Sequence, residues 1–236
     1  MLNLFSEIRR AGQRIRPYVL ETPVIPSLHL SRLTGAQVFL KMESEQYTNS
    51  FKARGAVNKL LALKSVTDLS DEDTGLSVVT ASTGNHAQGV ARAMRMTGIQ
   101  GTIFLPEHPE PSKLAALKDY DVDLEQYGND PLETELHARQ VAEERGAVWI
   151  SPYNDPEIIA GQGTIGLELK EQLNKIDDVL VTVGGGGLIS GIATCLTCIS
   201  PHTRMIGCQP ENAADMFRSV EAGEIITIEQ QDTLSD

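Results

Sequence analysis

The chain has 236 residues, 41% of them hydrophobic, with a formal net charge of −12, and it is long enough to bury a substantial core in one large or two modest domains. Its acidity argues against nucleic acid and against an anionic membrane as partners. No run of about 18 apolar residues offers a membrane span and no charged-then-apolar leader opens the sequence, so a soluble, cytoplasmic protein is expected.

Met1 to Arg16 reads as an amphipathic helix, with Leu4, Phe5, Ile8 and Ile15 on one side and Arg9, Arg10 and Arg14 among the polar positions. Two short extended segments follow, Glu21–Val24 and Val38–Lys41. Next comes Asn49-Ser50-Phe51-Lys52-Ala53-Arg54-Gly55-Ala56, where Asn49 or Ser50 is placed to cap a helix that begins near Lys52. Free lysine, with a pKa of about 10.4, is a poor nucleophile at neutral pH. Burial and the partial positive charge of a helix N-terminus would both disfavour its ammonium form, and the same terminus favours a phosphate. Taken alone, the string reads equally well as a helix with Lys52 and Arg54 in solvent.

Leu76–Thr80 reads as a strand, and Thr80-Ala81-Ser82-Thr83-Gly84-Asn85-His86-Ala87 leads from it through a small-residue turn into a helix over 86–96. Strand, turn and helix N-terminus together make an anion cradle of free N–H groups and hydroxyls. The plainer reading has Ser82 or Thr83 as an N-cap and His86 in the core or at the surface. Alternation continues with strand 101–105, helix 111–120, strand 122–126, helix 131–145 and strand 147–150, which predicts an α/β fold with a mostly parallel sheet. Gly161 to Gly166 satisfies G-x-G-x-x-G, but it follows loop-like Asn154-Asp155-Pro156 rather than a strand, so a dinucleotide site is rejected.

Strand 179–183 runs into Gly184-Gly185-Gly186-Gly187-Leu188 and a helix over 188–198. Consecutive glycines let a backbone approach a phosphate closely and aim its N–H groups there. The same loop could be only a tight strand-to-helix turn, and no Walker-type string accompanies it. Cys195 and Cys198 form a C-x-x-C inside that helix, with no second pair or spaced histidine, and read as small buried helix residues. Together with Cys208 they are too few for a disulfide framework. Strand 204–208 precedes Gln209-Pro210-Glu211-Asn212-Ala213-Ala214-Asp215.

In the lysine string, the Asn85 turn and the glycine loop, in that order, the chain resembles the fold-type II pyridoxal-phosphate enzymes, above all the serine/threonine dehydratase (ammonia-lyase) family and its serine racemase relatives. The resemblance implies a tryptophan synthase β-like fold of two open, mostly parallel twisted sheets flanked by helices. It implies a discontinuous large cofactor domain of residues 1–64 and 149–236, a small substrate-carboxylate domain of residues 74–148, and the cofactor in the cleft between them. Lys52 would be the Schiff-base residue and general base. Phe51, Lys52, Asn85, Gly184, Gly185, Gly186, Gly187 and Leu188 would bind pyridoxal 5'-phosphate. Ser82, Thr83, Asn85 and His86 would hold the carboxylate of an amino-acid substrate.

The implied reaction is dehydration and deamination of threonine or serine to a 2-oxo acid and ammonia, by a homodimer. Serine racemases carry a serine at the place of Thr83, which makes racemisation the lesser expectation. The Gln209–Asp215 segment resembles the Mg or Ca site of the racemase branch, with Ala213 and Asp215 matching and Gln209 replacing a glutamate; an acidic solvated loop fits it equally. Family members continue well beyond a segment like Thr233-Leu234-Ser235-Asp236, so an incomplete large domain is expected. A non-catalytic relative that binds the cofactor or an amino acid is the alternative function class.

Overall fold

The computed structural model describes residues 3–66, 75–227 and 233. The expected domain boundary at Thr74 and the end of the terminal segment, Leu234 to Asp236, lie outside the described residues. Helix α1 (Leu4–Ile15) is capped by the Asn3 side chain and buries Ile8, Ala11 and Ile15, a spacing of three and four that makes one apolar stripe. Strands β1 (Val24–Pro26) and β2 (Phe39–Lys41) pair antiparallel, Ile25 opposite Leu40, with helix α2 (Leu28–Thr34) between them. Helix α3 (Lys52–Val66) begins at Lys52 itself. Of its two expected caps, Ser50 serves, its hydroxyl accepting the Lys52 N–H at 3.3 Å. Asn49 instead turns the chain at φ 53°, a conformation asparagine tolerates better than most residues.

The expected alternation follows with ends shifted by a residue or two: β3 (Ser77–Ala81), α4 (Asn85–Thr97), β4 (Gln100–Leu105), α5 (Pro111–Lys118), β5 (Asp123–Gln126), α6 (Pro131–Arg145) and β6 (Val148–Trp149). The strands form one parallel sheet in the order β5-β4-β3-β6. On one face Val79, Ala81 and Phe104 pack against Ala138, Val141 and Ala142 of α6, and on the other Ile103 and Leu105 meet Ala87, Ala91 and Leu117 of α4 and α5. The strand order reverses at β3, with β4 on one side and β6 on the other. In open α/β sheets ligands gather outside the strand C-termini at such a reversal, and the Ser82 turn is what stands there.

The G-x-G-x-x-G segment lies inside a helix, α7 (Pro156–Gln172), capped by Asp155. Its glycines serve close helix packing. A Cβ on Gly161 would fall 2.6 Å from Gly55 Cα, and one on Gly191 would fall 2.4 Å from the Ile159 carbonyl. Thus α7 is pressed between α3 and helix α8 (Gly187–Ile199). Strands β7 (Asp178–Thr182) and β8 (Arg204–Cys208) pair in parallel, and helix α9 (Asp215–Ala222), which the sequence reading did not anticipate, follows. The buried stripe of α8 is Gly191, Ile192, Cys195 and Leu196. Burial pushes the Cys195 thiol up to about 12, so it is inert. Cys198, expected to be buried as well, falls off that stripe and is exposed.

Candidate active site

Where α3 starts, it lies directly against α4, because a Cβ on Gly89 would be 3.1 Å from the Lys52 carbonyl. From there the Lys52 side chain reaches the Pro152 carbonyl, with its Nζ donating at 2.7 Å. A neutral carbonyl does little to hold the extra proton, so burial dominates and lowers the Lys52 pKa to about 8. His86, only 3% exposed, stands behind it. Burial first, and the Lys52 ammonium second, lower the His86 pKa to about 3, so the ring is neutral. Thr80 Oγ1 donates its proton to the Ile150 carbonyl at 2.8 Å, which leaves the Thr80 hydroxyl oxygen to accept from His86 Nε2 at 3.1 Å. The His86 ring therefore belongs to the core under β3, and at the turn His86 presents its main-chain N–H.

The turn after β3 is held by Ser82, whose hydroxyl accepts the Gly84 N–H at 3.2 Å. Gly84 occupies the N-cap of α4 with no side-chain cap bond, and the first intrahelical bond is Gln88 N–H to the Gly84 carbonyl. The N–H groups of Asn85, His86 and Ala87 precede that bond. At the glycine loop Gly186 takes φ 82°, a conformation that favours glycine, and opens α8 with no side-chain cap. A Cβ on Gly184 would meet nothing within 4 Å, so the loop's first glycine faces open space. Phe51 and Leu188 pack on the cluster of Ile165, Leu169, Val181, Ile192 and Leu196, which ties the start of α3 to that of α8.

One segment that no sequence signal marked, Ser151-Pro152-Tyr153, joins these parts. Pro152 holds the lysine amine, and Tyr153 abuts the loop: a Cβ on Gly185 would fall 2.3 Å from the Tyr153 ring and one on Gly187 2.6 Å from its carbonyl. The electrostatics match this layout. Helices α1, α6 and α7 each have a side-chain cap and an acid in the first turn, whereas α3, α4 and α8, like α2 and α5, have no acid there. The helix ends around Lys52 keep their positive partial charge and suit phosphate and carboxylate groups.

A family model described as pyridoxal-phosphate dependent enzyme matches residues 15–236. The chain belongs to this family. Within it, the chain is 41% identical over 231 residues to the catabolic L-threonine dehydratase TdcB of Escherichia coli K12, covering 98% of this chain and 68% of that protein. It is equally 41% identical to the L-threonine ammonia-lyase of Thermotoga maritima, of which it covers 56%. Among solved structures, maize serine racemase superposes with a TM-score of 0.88 at 39% identity, over 97% of this chain and 68% of that one. The processed form of threonine deaminase isoform 2 from Solanum lycopersicum superposes with 0.88 at 36% identity, over 98% and 66%. The expected fold class is the observed one: parallel α/β with flanking helices.

The site fits the cofactor of this pyridoxal-phosphate family on its own chemistry, with an amine of lowered pKa between two cradles of main-chain N–H groups. Gly185→Val is expected to drive a side chain into the Tyr153 ring, weakening cofactor binding at least about tenfold, a loss of only about 1.4 kcal/mol. Absorbance titration against cofactor checks this, and an unchanged affinity would show that the loop is not the phosphate cradle.

The burial of Arg54 was not foreseen, whereas the grouping of Gln209, Ala213 and Asp215 was. Arg54 is not solvated. It is 0% exposed, with Nε 2.8 Å from Glu43, Nη1 2.5 Å from Glu168 and Nη2 2.8 Å from Glu43, and Lys41 Nζ adds a 2.5 Å contact to Glu168. This ion cluster clamps the first turn of α3, and with it Lys52, to α7 and the Glu43 loop. Gln209, Ala213 and Asp215 do come together, Gln209 Nε2 lying 3.4 Å from the Ala213 carbonyl and 3.5 Å from Asp215 Oδ1. Among the described residues no three His, Cys, Asp or Glu side chains group to hold a metal ion.

Proposed function

We propose that this chain dehydrates and deaminates a β-hydroxy amino acid, threonine or serine, to a 2-oxo acid and ammonia. The observation that carries the reading is the half-buried Lys52 amine, lowered to about 8 and held on a neutral carbonyl between two acid-free helix ends. When bound, pyridoxal phosphate would supply an electron sink for charge developing at the substrate Cα. Lys52 would carry the cofactor and move the Cα proton, a task suited to a pKa near the working pH. Gly184, Gly185, Gly186, Gly187 and Leu188 would hold the phosphate, and Phe51 would back the lysine.

Ser82, Thr83 and Asn85, with the main-chain N–H of His86, would hold the substrate carboxylate, and Asn85 would also reach the cofactor. Residues 1–64 with 149–236 would act as the cofactor lobe and 74–148 as the substrate lobe, in a cytoplasmic homodimer. The names of the threonine dehydratase and ammonia-lyase relatives support the reaction class. The test is ammonia and 2-oxo acid release by the intact, cofactor-loaded gene product from L-threonine and from L-serine. Production from either is the expected result. A loaded protein that yields none from both would overturn the reading.

A further inference from the structure

Gln209 follows β8 directly and holds two things at once. Its Oε1 accepts the N–H of Phe217 at 2.8 Å. Phe217 is the third residue of α9, whose N-cap, Ala214, has no side chain with which to satisfy that donor. An amide that presents its oxygen to an N–H must present its NH2 on the other side, which fixes the orientation of this one. The NH2 group accordingly faces the Ala213 carbonyl at 3.4 Å and Asp215 Oδ1 at 3.5 Å.

Those two oxygens are the ones that resemble the Mg or Ca ligands of the racemase branch. Here the donor set does not fit such an ion. Both cations depend on anionic oxygens, Ca²⁺ on six to eight oxygen ligands and Mg²⁺ on an octahedral set. This site offers one carboxylate and one carbonyl, with an amide NH2, itself the positive end of a dipole, aimed between them. We infer that the Gln209 amide stands in for the divalent cation, bridging Ala213 and Asp215 so that residues 209–217 are held in place without metal. The consequence reaches the cofactor site. The Cys208 carbonyl accepts the Val183 N–H at 2.8 Å, and a Cβ on Gly186 would lie 3.3 Å from the Met216 methyl. The end of β8 therefore holds the residue before the glycine loop, and Met216 of the segment that Gln209 closes lies against Gly186.

The inference rests on the family's cofactor site and not on the proposed reaction, so it is tested by stability and cofactor affinity, which stand whether or not threonine turns over. In the wild-type holoenzyme, exchanging EDTA for millimolar Mg²⁺ or Ca²⁺ is expected to leave the thermal midpoint and the cofactor Kd unchanged within about twofold. Gln209→Glu places a second carboxylate against Asp215. In EDTA its midpoint is expected to fall, and either cation, at about a hundredfold over its Kd, should raise it by about 5–10 °C in a chain of this size. A wild-type protein stabilised that much by Mg²⁺ or Ca²⁺ would overturn the inference. So would a folded Gln209→Glu variant indifferent to both ions, and the wild-type arm decides alone if that variant does not fold.

Discussion

Lys52→Met is expected to abolish the visible absorption band of bound cofactor and to lower turnover at least about a thousandfold, because one amine both carries the cofactor and moves the Cα proton. In the cofactor-free protein the same substitution is expected to stabilise, over a defined pH range. The folded-state pKa of Lys52 is lowered from 10.5 to about 8 by burial. Below pH 8 both folded and unfolded chains carry the ammonium, and only the folded one bears its desolvation cost. Between the two values the unfolded chain binds more protons, so stability recovers as pH rises, and above both the cost is gone. Lys52→Met should therefore raise the thermal midpoint at pH 7 and give no gain near pH 11. A midpoint lowered at neutral pH would show that the amine is well solvated.

The second large effect is on stability. Arg54→Leu removes the fully buried guanidinium from between Glu43 and Glu168, two carboxylates that are themselves 15% exposed, and leaves Glu43 facing an apolar neighbour while Glu168 keeps only Lys41. Breaking a buried ion pair by deleting one partner costs about 3–5 kcal/mol, since the remaining charge loses its compensation without regaining water. Adding Glu43→Gln to the variant should recover part of that loss, because Glu43 has lost its cation whereas Glu168 keeps Lys41. Denaturant unfolding of the cofactor-free chain measures both. A cost below about 1 kcal/mol would place the cluster with solvent-screened surface pairs.

The parts of the site that sequence made legible are those where backbone chemistry is written in small residues. The glycine loop, the Ser82–His86 turn and the alternation from 76 to 150 each follow from local rules, and their elements lie within a residue or two of the expected bounds. Arg54 was illegible because its burial depends on Glu43 and Glu168, the latter 114 residues away in sequence. The helix over Pro156–Gln172 was hidden by three glycines that depress helix propensity, and only close contact with Gly55, Gly191 and Cys195 explains why they are there. Pro152 contributes a carbonyl, which every residue has, so no motif could announce it. Gln209 was visible only as a departure from a pattern, and its two-sided bonding gives the departure a physical meaning.

Borohydride reduction of the cofactor-loaded protein, followed by proteolysis and mass mapping, tests the central assignment most directly. Reduction fixes the cofactor to the amine that carries it. The expected result is a single pyridoxyl adduct on the peptide containing Lys52, lost in Lys52→Met. An adduct on another lysine, such as Lys41 or Lys59, with Lys52 unmodified, would contradict it.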